Sequence, residues 1–313
     1  MGAIIVLKIG IIGIGSIAKK AYLPIYAGLS GVECHFCTRN RETLEQIRAG
    51  YRWDHFYQNP DQLIESGVEA VFIHAATPAH PMIIEKMLNH GISVYTDKPI
   101  AEDYETAKKL TEMAENKKVL LMTGFNRRFA PYNLEASAIP EKSMIVYQKN
   151  RVNDPKDIRA FIFDDFIHVV DTVRFLLGRP IDTMTVHAIK DREGLYTELS
   201  VVFHAGRQLA VAIMSRRSGA NQEILQVMSP QGEYVVRDLS SIERIQGADT
   251  TIKHFGDWTP MLYKRGFEQI VDAFLKAVAE GREEPIAKAD ALETHRICEK
   301  IIQIINGSNE ASK

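Results

Sequence analysis

The chain has 313 residues, 45% of them apolar and 25% charged, which suits an ordinary soluble protein with room for two domains and a sizeable core. Its 38 basic and 40 acidic side chains leave a formal charge of −2, which gives no reason to expect nucleic acid as a partner. No apolar run reaches the roughly 18 residues of a membrane-spanning helix, so no membrane partner is expected either.

The apolar start of the chain is broken by Lys8 and by glycines, and it serves better as a first strand than as a signal peptide. With only three cysteines, Cys34, Cys37 and Cys298, a reducing compartment is expected and the cytoplasm is the implied location. Cys34 and Cys37 match C-x-x-C, but residues three apart on a strand face opposite sides of the sheet, and no second cysteine pair completes a zinc site. Both read as buried strand thiols.

Val6 to Pro24 reads as a buried strand, a glycine-tight turn and the start of a helix. Leu7, Ile9, Ile11 and Ile12 form the apolar run, and Gly13, Gly15 and Ala18 give G-x-G-x-x-A. Gly13 permits the sharp turn, Gly15 lets a pyrophosphate approach the backbone, and Ala18 lets helix and strand pack closely. The first amides of the helix, from Ser16 and Ile17 onward, would face the phosphates.

Strand and helix then alternate for about 120 residues, the pattern of a parallel sheet with crossover helices. Strands are expected at Val32 to Thr38, His55 to Tyr57, Val68 to Ala76, Ile92 to Thr96 and Val119 to Thr123. Helices are expected at Glu42 to Arg48, Asn59 to Ile64, Pro81 to Asn89 and Tyr104 to Lys117.

Beyond about residue 130 short alternating strands take over: Met144 to Lys149, Met184 to Ile189, Tyr196 to His204, Gln208 to Ser215, Glu223 to Met228 and Tyr234 to Arg237. With a helix at Asp164 to Leu177 they imply a largely antiparallel open sheet covered on one face. Amphipathic helices at Met261 to Glu280 and Lys288 to Ile305 close the chain, and the last few residues are expected to be disordered. The expected fold class is therefore α/β: a dinucleotide-binding Rossmann domain, residues 1–125, and an α+β domain, residues 126–313, for substrate binding and oligomerisation. The C-terminal helices could pack back on the first domain.

In a doubly wound sheet ligands lie beyond the carboxyl ends of the strands. The loops there hold Thr77 and Pro78, then Asp97, Lys98 and Pro99, then Asn126, Arg127 and Arg128. A lysine in that place can bond a substrate hydroxyl or stabilise an alkoxide. On the helix Asp164 to Leu177, a step of about 100° per residue puts Asp164, His168 and Asp171 on one side and Phe166, Val170, Val173, Leu176 and Leu177 on the other. An acid four residues before a histidine can bond the ring, and the histidine can exchange a proton with a substrate hydroxyl. A metal on that trio is disfavoured by the neighbouring lysine, and no metal site is expected. A solvated polar stripe is the plainer alternative for the trio. Arg127 and Arg128 suit either an anionic ligand or a structural ion pair.

These pieces, namely Gly13 to Ala18, Asp97-Lys98-Pro99, Gly124 to Phe129 and Asp164-x-x-x-His168-x-x-Asp171, resemble in type and order the Gfo/Idh/MocA oxidoreductases over nearly the whole chain, and most of all the MviM-type branch. The resemblance implies an NAD(P)-dependent dehydrogenase moving a hydride between nicotinamide and a secondary alcohol or carbonyl of a sugar, polyol or related metabolite. It implies Lys98 and His168 as the catalytic pair with Asp164 orienting the imidazole, weaker substrate contacts from Arg128 and Asp171, and a cis Lys98–Pro99 bond. The cofactor would be held by Gly13, Gly15, Ser16, Ile17, Ala18, Thr38, Arg39, Thr77, Pro78, Asp97, Lys98 and Asn126. Homodimers or homotetramers through the C-terminal sheet are implied as well. A glycoside hydrolase that keeps its nicotinamide bound and a non-catalytic dinucleotide sensor are the alternatives on the same fold.

The chain departs from the family pattern at Asp97, usually Glu; at Met82, often His; and at Phe166, often Gly. No acid follows the second strand, where Thr38, Arg39 and Asn40 stand, and an arginine there suits the 2′-phosphate of NADP over the bare ribose of NAD. His74 reads as a satisfied core group, and Trp53 and Trp258 as packing anchors.

Overall fold

The structure, a computed structural model, describes residues 6–310; the expected disorder of the last few residues reaches 311–313, which lie outside them. The chain divides into two compact units, one running to Gly124 and joined by Ile270–Leu292, the other Phe125–Gln269 joined by the chain from Glu293 on.

In the first unit six strands run β1 Leu7–Ile12, β2 Val32–Cys37, β3 His55–Tyr57, β4 Ala70–Ile73, β5 Ser93–Thr96 and β6 Leu121–Thr123. They form a sheet in the order β3-β2-β1-β4-β5-β6, and every pairing is parallel. The order reverses at β1 and β4, the switch point at which doubly wound sheets bind ligands. Near-continuous apolar runs in β1 and β4 follow from burial on both faces: Ile9, Ile11, Val71 and Phe72 are all fully buried. Each such side chain contributes about 1.5–3 kcal/mol.

Asn40, Asn59 and Asp103 cap the helices Arg41–Tyr51, Pro60–Glu65 and Tyr104–Lys117 by accepting backbone amides, which sets where those helices begin. The helical segment after the glycine loop is π-helical at Ala18–Tyr22 before a short α-helix, Leu23–Tyr26.

The second unit holds β7 Met144–Asn150, β8 Thr183–Lys190, β9 Tyr196–Ala205, β10 Gln208–Ser215, β11 Gln222–Ser229, β12 Gly232–Arg237, β13 Ser241–Gln246 and β14 Asp249–His254. Their order is β14-β13-β12-β11-β7-β10-β9-β8, antiparallel except for the parallel pair β7 and β10. Gly206, at φ +59°, sits in the β9–β10 turn, and Pro230 and Gln231 link β11 to β12. The helix Ile167–Leu177 packs on β7 and β10.

Four expectations need correction. Asp164 to Leu177 is not one regular helix, because Phe161–Phe166 is a π-helical segment and the α-helix begins at Ile167. Met261 to Glu280 is broken at Gly266 into Met261–Lys264 and Phe267–Glu280. A Cβ on Gly266 would lie 2.3 Å from the Asn126 carbonyl oxygen, so only glycine allows that approach. The sheet also continues through β13 and β14, which carry too few inward apolar residues to stand out in the sequence. Trp258, finally, is no packing anchor: it is 97% exposed, whereas Trp53 stacks on Tyr51 and packs at a tilt against Phe36.

Candidate functional site

The glycine loop has the two backbone features that a dinucleotide needs. Gly13 has φ +85°, and a Cβ there would lie 2.5 Å from the Ala75 amide nitrogen, so the turn off β1 abuts the chain leaving β4. Around Gly15 a Cβ would meet nothing within 4 Å, which leaves open backbone at the start of the helical segment. Ser16 and Ile17 are exposed there while Ala18 is fully buried, and the Lys19 amide is already bonded to the Gly15 carbonyl at 3.1 Å. The amides of a first helical turn have no partner inside the helix, so this arrangement fits a pyrophosphate. Thr38 follows β2 with its amide bonded to the Tyr57 carbonyl, and Arg39 beside it is exposed. Thr77 and Pro78 form a single 3₁₀ turn after β4.

Asp97 does more within its own unit than the sequence suggested. Its carboxylate accepts from the Tyr22 hydroxyl at 2.6 Å and pairs with His74 Nδ1 at 2.8 Å. His74 Nε2 lies 2.8 Å from the Tyr26 hydroxyl, and the Tyr22 and Tyr95 hydroxyls are 2.8 Å apart. Burial pushes the Asp97 carboxyl up, but His74 and the Tyr22 hydrogen bond outweigh it and hold the group below its usual range. Burial, then the Asp97 charge, raises both Tyr22 and Tyr95. The apolar strand β4 is thus followed by a histidine that is satisfied, as expected, and that anchors the residue preceding Lys98.

Lys98 is half-buried at the carboxyl end of β5, and the Lys98–Pro99 bond is cis. His80, which no sequence motif singles out, braces this turn. The ring is buried, with Nδ1 2.8 Å from the Pro99 carbonyl oxygen and Nε2 2.9 Å from that of Ala75. Cys34 and Cys37 are buried as expected, and burial pushes their thiols up to about 12 and about 11.

In the second unit the polar residues of the Asp164 to Asp171 stretch part company. The π-helical segment alters the step per residue ahead of Ile167, so Asp164 is exposed whereas Asp165, His168 and Asp171 are buried. Asp171 is bound in a fork by Arg128, at 2.9 and 2.6 Å, and accepts from Thr294 at 3.0 Å. Arg128 thus makes the structural ion pair that was one of its two readings, and of the polar stripe Asp164 meets solvent while His168 and Asp171 do not.

Arg127 faces His168. Its Nη1 lies 3.3 Å from His168 Nε2 and 3.1 Å from Asn126 Oδ1, while Nε and Nη2 bind Glu223 at 3.3 and 2.6 Å. Guanidinium can only donate, so His168 Nε2 is an acceptor and the ring proton of the neutral imidazole sits on Nδ1. Asn126 gives its amide to the Arg265 carbonyl at 2.8 Å.

Behind this pair lies a buried cluster that the sequence did not announce. Lys149 Nζ is 2.6 Å from Asp165 and 3.6 Å from Glu223, Arg151 binds Asp165 through two nitrogens, and the Tyr147 hydroxyl donates to Glu223 at 3.0 Å. Burial, then Arg127, pushes the Lys149 amine down to about 8. Burial opposes ionisation of Asp165 and Glu223, but the surrounding cations hold both well below the carboxylate range.

Residues 7–125 match the family described as the oxidoreductase family with an NAD-binding Rossmann fold, GFO_IDH_MocA, and residues 132–247 match the YceM-like C-terminal domain. The chain is 30% identical to the putative oxidoreductase YceM of Salmonella typhimurium, over 94% of this chain and 97% of that one. It is 26% identical to the inositol 2-dehydrogenase of Rhizobium meliloti, over 69% of this chain and 72% of that one. The crystal structure of the dehydrogenase MviM from Clostridium difficile superposes with a TM-score of 0.91 at 30% identity, covering 95% of this chain and 99% of that one.

The chain belongs to the Gfo/Idh/MocA family of oxidoreductases. It is an NAD(P)-dependent, hydride-transferring dehydrogenase. No helix among the described residues is long and apolar enough to cross a membrane.

Proposed function

We propose that the protein interconverts a secondary alcohol and its carbonyl on a sugar, polyol or related small metabolite, with Lys98 and His168 as the acid–base residues. The observation that carries this reading is the state of His168: a buried imidazole whose Nε2 is held as an acceptor by Arg127, in a chain whose other unit is an NAD-binding Rossmann fold. A hydroxyl group losing its proton needs such an acceptor. A substrate hydroxyl replaces the long 3.3 Å contact with Arg127 and gives its proton to Nε2. Lys98 supports the charge that develops on the oxygen. The bound nicotinamide supplies the hydride acceptor or donor. Inositol dehydrogenases among the relatives favour a polyhydroxylated substrate.

The cofactor is held by the loop Gly13 to Ala18, with Thr77 and Pro78 beside it. Thr38 and Arg39 lie at the adenosine end. An exposed Arg39 with no acid beside it favours NADP over NAD. Asp164, exposed on the π-helical segment, contacts the substrate or orients the ring, and Asn126 and Asp97 act near the cofactor through the groups that they anchor. The protein works in the cytoplasm as a homodimer or homotetramer joined through the large sheet, whose strand β8 exposes Ile189 and whose strand β14 exposes Ile252.

Turnover of a panel of polyols, sugars and sugar phosphates with NAD and NADP, followed by cofactor absorbance, tests the reading. Lys98→Met is expected to lower kcat about 10²–10³-fold, as loss of an oxyanion donor does. His168→Ala is expected to lower it about 10²–10⁴-fold. Turnover unaffected by both substitutions overturns the assignment.

A further inference from the structure

We propose that Glu33, His35 and His55 form a binding site for one divalent transition-metal ion of the zinc, cobalt or nickel class at the β2–β3 edge of the parallel sheet. This site is separate from the dehydrogenase residues assigned above. Alternation along β2 puts Glu33 and His35 on the same face, and the parallel register pairs His35 with His55 of the edge strand β3. The two imidazoles stack with ring centres 4.4 Å apart and planes 9° from parallel.

Both rings turn the same nitrogen to one carboxylate. His35 Nε2 is 2.7 Å from Glu33 Oε1, and His55 Nε2 is 3.8 Å from the same oxygen. All three donor atoms lie within 4.8 Å of one another. Zinc bonds of about 2.0–2.2 Å in a tetrahedral site set donor atoms about 3.3–3.6 Å apart. The donors therefore bracket the required spacing, and because the stacked rings lie near parallel, the part-exposed His55 ring has to turn out of the stack for both Nε2 lone pairs to meet at one ion.

The surroundings also suit a metal. His35 is buried, and its Nδ1 is 3.1 Å from the Tyr57 hydroxyl, the outer hydrogen bond that orients a metal-ligating imidazole. Without a metal, His35 Nε2–H donates to Glu33 and the Tyr57 hydroxyl donates to Nδ1. With the ion on Nε2 the remaining proton sits on Nδ1 and donates to Tyr57, and the Nε2 proton leaves to solvent. His55 is 44% exposed and Glu33 35%, which gives the ion an entry route and leaves its fourth position to water. Two imidazoles and one carboxylate select borderline metals over magnesium or calcium, which prefer all-oxygen shells. Lys8 Nζ stands 4.0 Å from Glu33 on a part-exposed side chain, and it is the charge that the ion displaces. By joining β2 to β3 the ion would pin a three-residue edge strand.

The test uses the untagged full chain freed of metal with a chelator, titrated with Zn²⁺ by calorimetry and with Co²⁺ by visible absorption. One ion per chain is expected, with a tetrahedral Co²⁺ spectrum and no uptake of Mg²⁺. His55→Ala and Glu33→Gln, both at part-exposed positions, are expected to weaken binding at least 10-fold, and because each also touches the buried His35, the metal-free unfolding midpoint of each variant is measured beside the titration to show that the chain is still folded. Tyr57→Phe is expected to weaken it about 10-fold through loss of the outer hydrogen bond. Absence of Zn²⁺ uptake by the unsubstituted chain, or uptake that both His55→Ala and Glu33→Gln leave unchanged, overturns the proposal.

Discussion

Arg127 donates to His168 Nε2 across 3.3 Å while its other two nitrogens grip Glu223. One cation therefore holds an imidazole in its acceptor state and neutralises a buried carboxylate. Arg127→Lys keeps the charge for Glu223 but offers a single point donor in place of the fork, so it cannot reach both partners. The expected outcome is a fall of about 10-fold or more in kcat/KM with a smaller loss of stability, measured by steady-state kinetics beside denaturant unfolding. Kinetics equal to those of the parent chain would show that Arg127 does not hold His168.

The cluster around Glu223 sets how stability responds to pH. In the unfolded chain Asp165 and Glu223 titrate near about 4, whereas in the fold both carboxyls lie well below that. The unfolded state therefore takes up protons first as pH falls. The stability that these two residues contribute is fully present above about pH 5 and is lost as the solution is acidified further. Lys149 acts in the other window. Its folded value of about 8 lies below the unfolded one, so from about pH 8 to about pH 10.4 the unfolded state holds more protons and stability rises with pH. Glu223→Gln should cost about 3–5 kcal/mol at pH 7 by stranding Arg127 and Lys149, and it should flatten the acid limb. Urea unfolding at a series of pH values checks both.

How much of this the sequence disclosed depends on the range of the interaction. Gly13, Gly15 and Ala18 were legible because a local backbone shape demands them, and the six parallel strands were legible because their burial shows as apolar runs. The neighbours of His168 were not. A regular 100° step carries no sign of the π-helical turn that exposes Asp164 and buries Asp165, and nothing near Arg127 in the chain points to Glu223, 96 residues away. Asp97 follows β5, as the sequence pattern indicates, but its partners Tyr22 and His74 come from the π-helical segment after the glycine loop and from the residue after β4. The trio Glu33, His35 and His55 needs the β2–β3 register before its members become neighbours.

Arg39 gives a test of cofactor choice that leaves the fold alone. Because it is exposed after β2, Arg39→Ala should leave the unfolding midpoint within experimental error. Loss of a charge-assisted phosphate contact worth about 1.5–3 kcal/mol is expected to raise the Kd for NADPH about 10-fold or more while that for NADH stays within twofold. Fluorescence titration with the two reduced cofactors reads this directly. Equal changes for both cofactors would remove Arg39 from the 2′-phosphate.

The two glycines of the loop should fail in different ways when a methyl group is added. At Gly13 the new Cβ would stand 2.5 Å from backbone of Ala75, and φ +85° is itself unfavourable for an L residue. Neither backbone can give way cheaply, because the two segments leave the adjacent paired strands β1 and β4. Gly13→Ala is therefore expected to cost about 2 kcal/mol or more in stability, and to weaken cofactor binding only as a consequence. At Gly15 the same methyl group meets no atom within 4 Å and faces no backbone penalty, so Gly15→Ala should unfold at the parent midpoint. It would occupy the space through which a pyrophosphate reaches the amides, so its Kd for either cofactor should rise at least 10-fold. Thermal unfolding and cofactor titration on both variants separate the two effects. A Gly15→Ala variant that binds NADH and NADPH as tightly as the parent would place the pyrophosphate elsewhere.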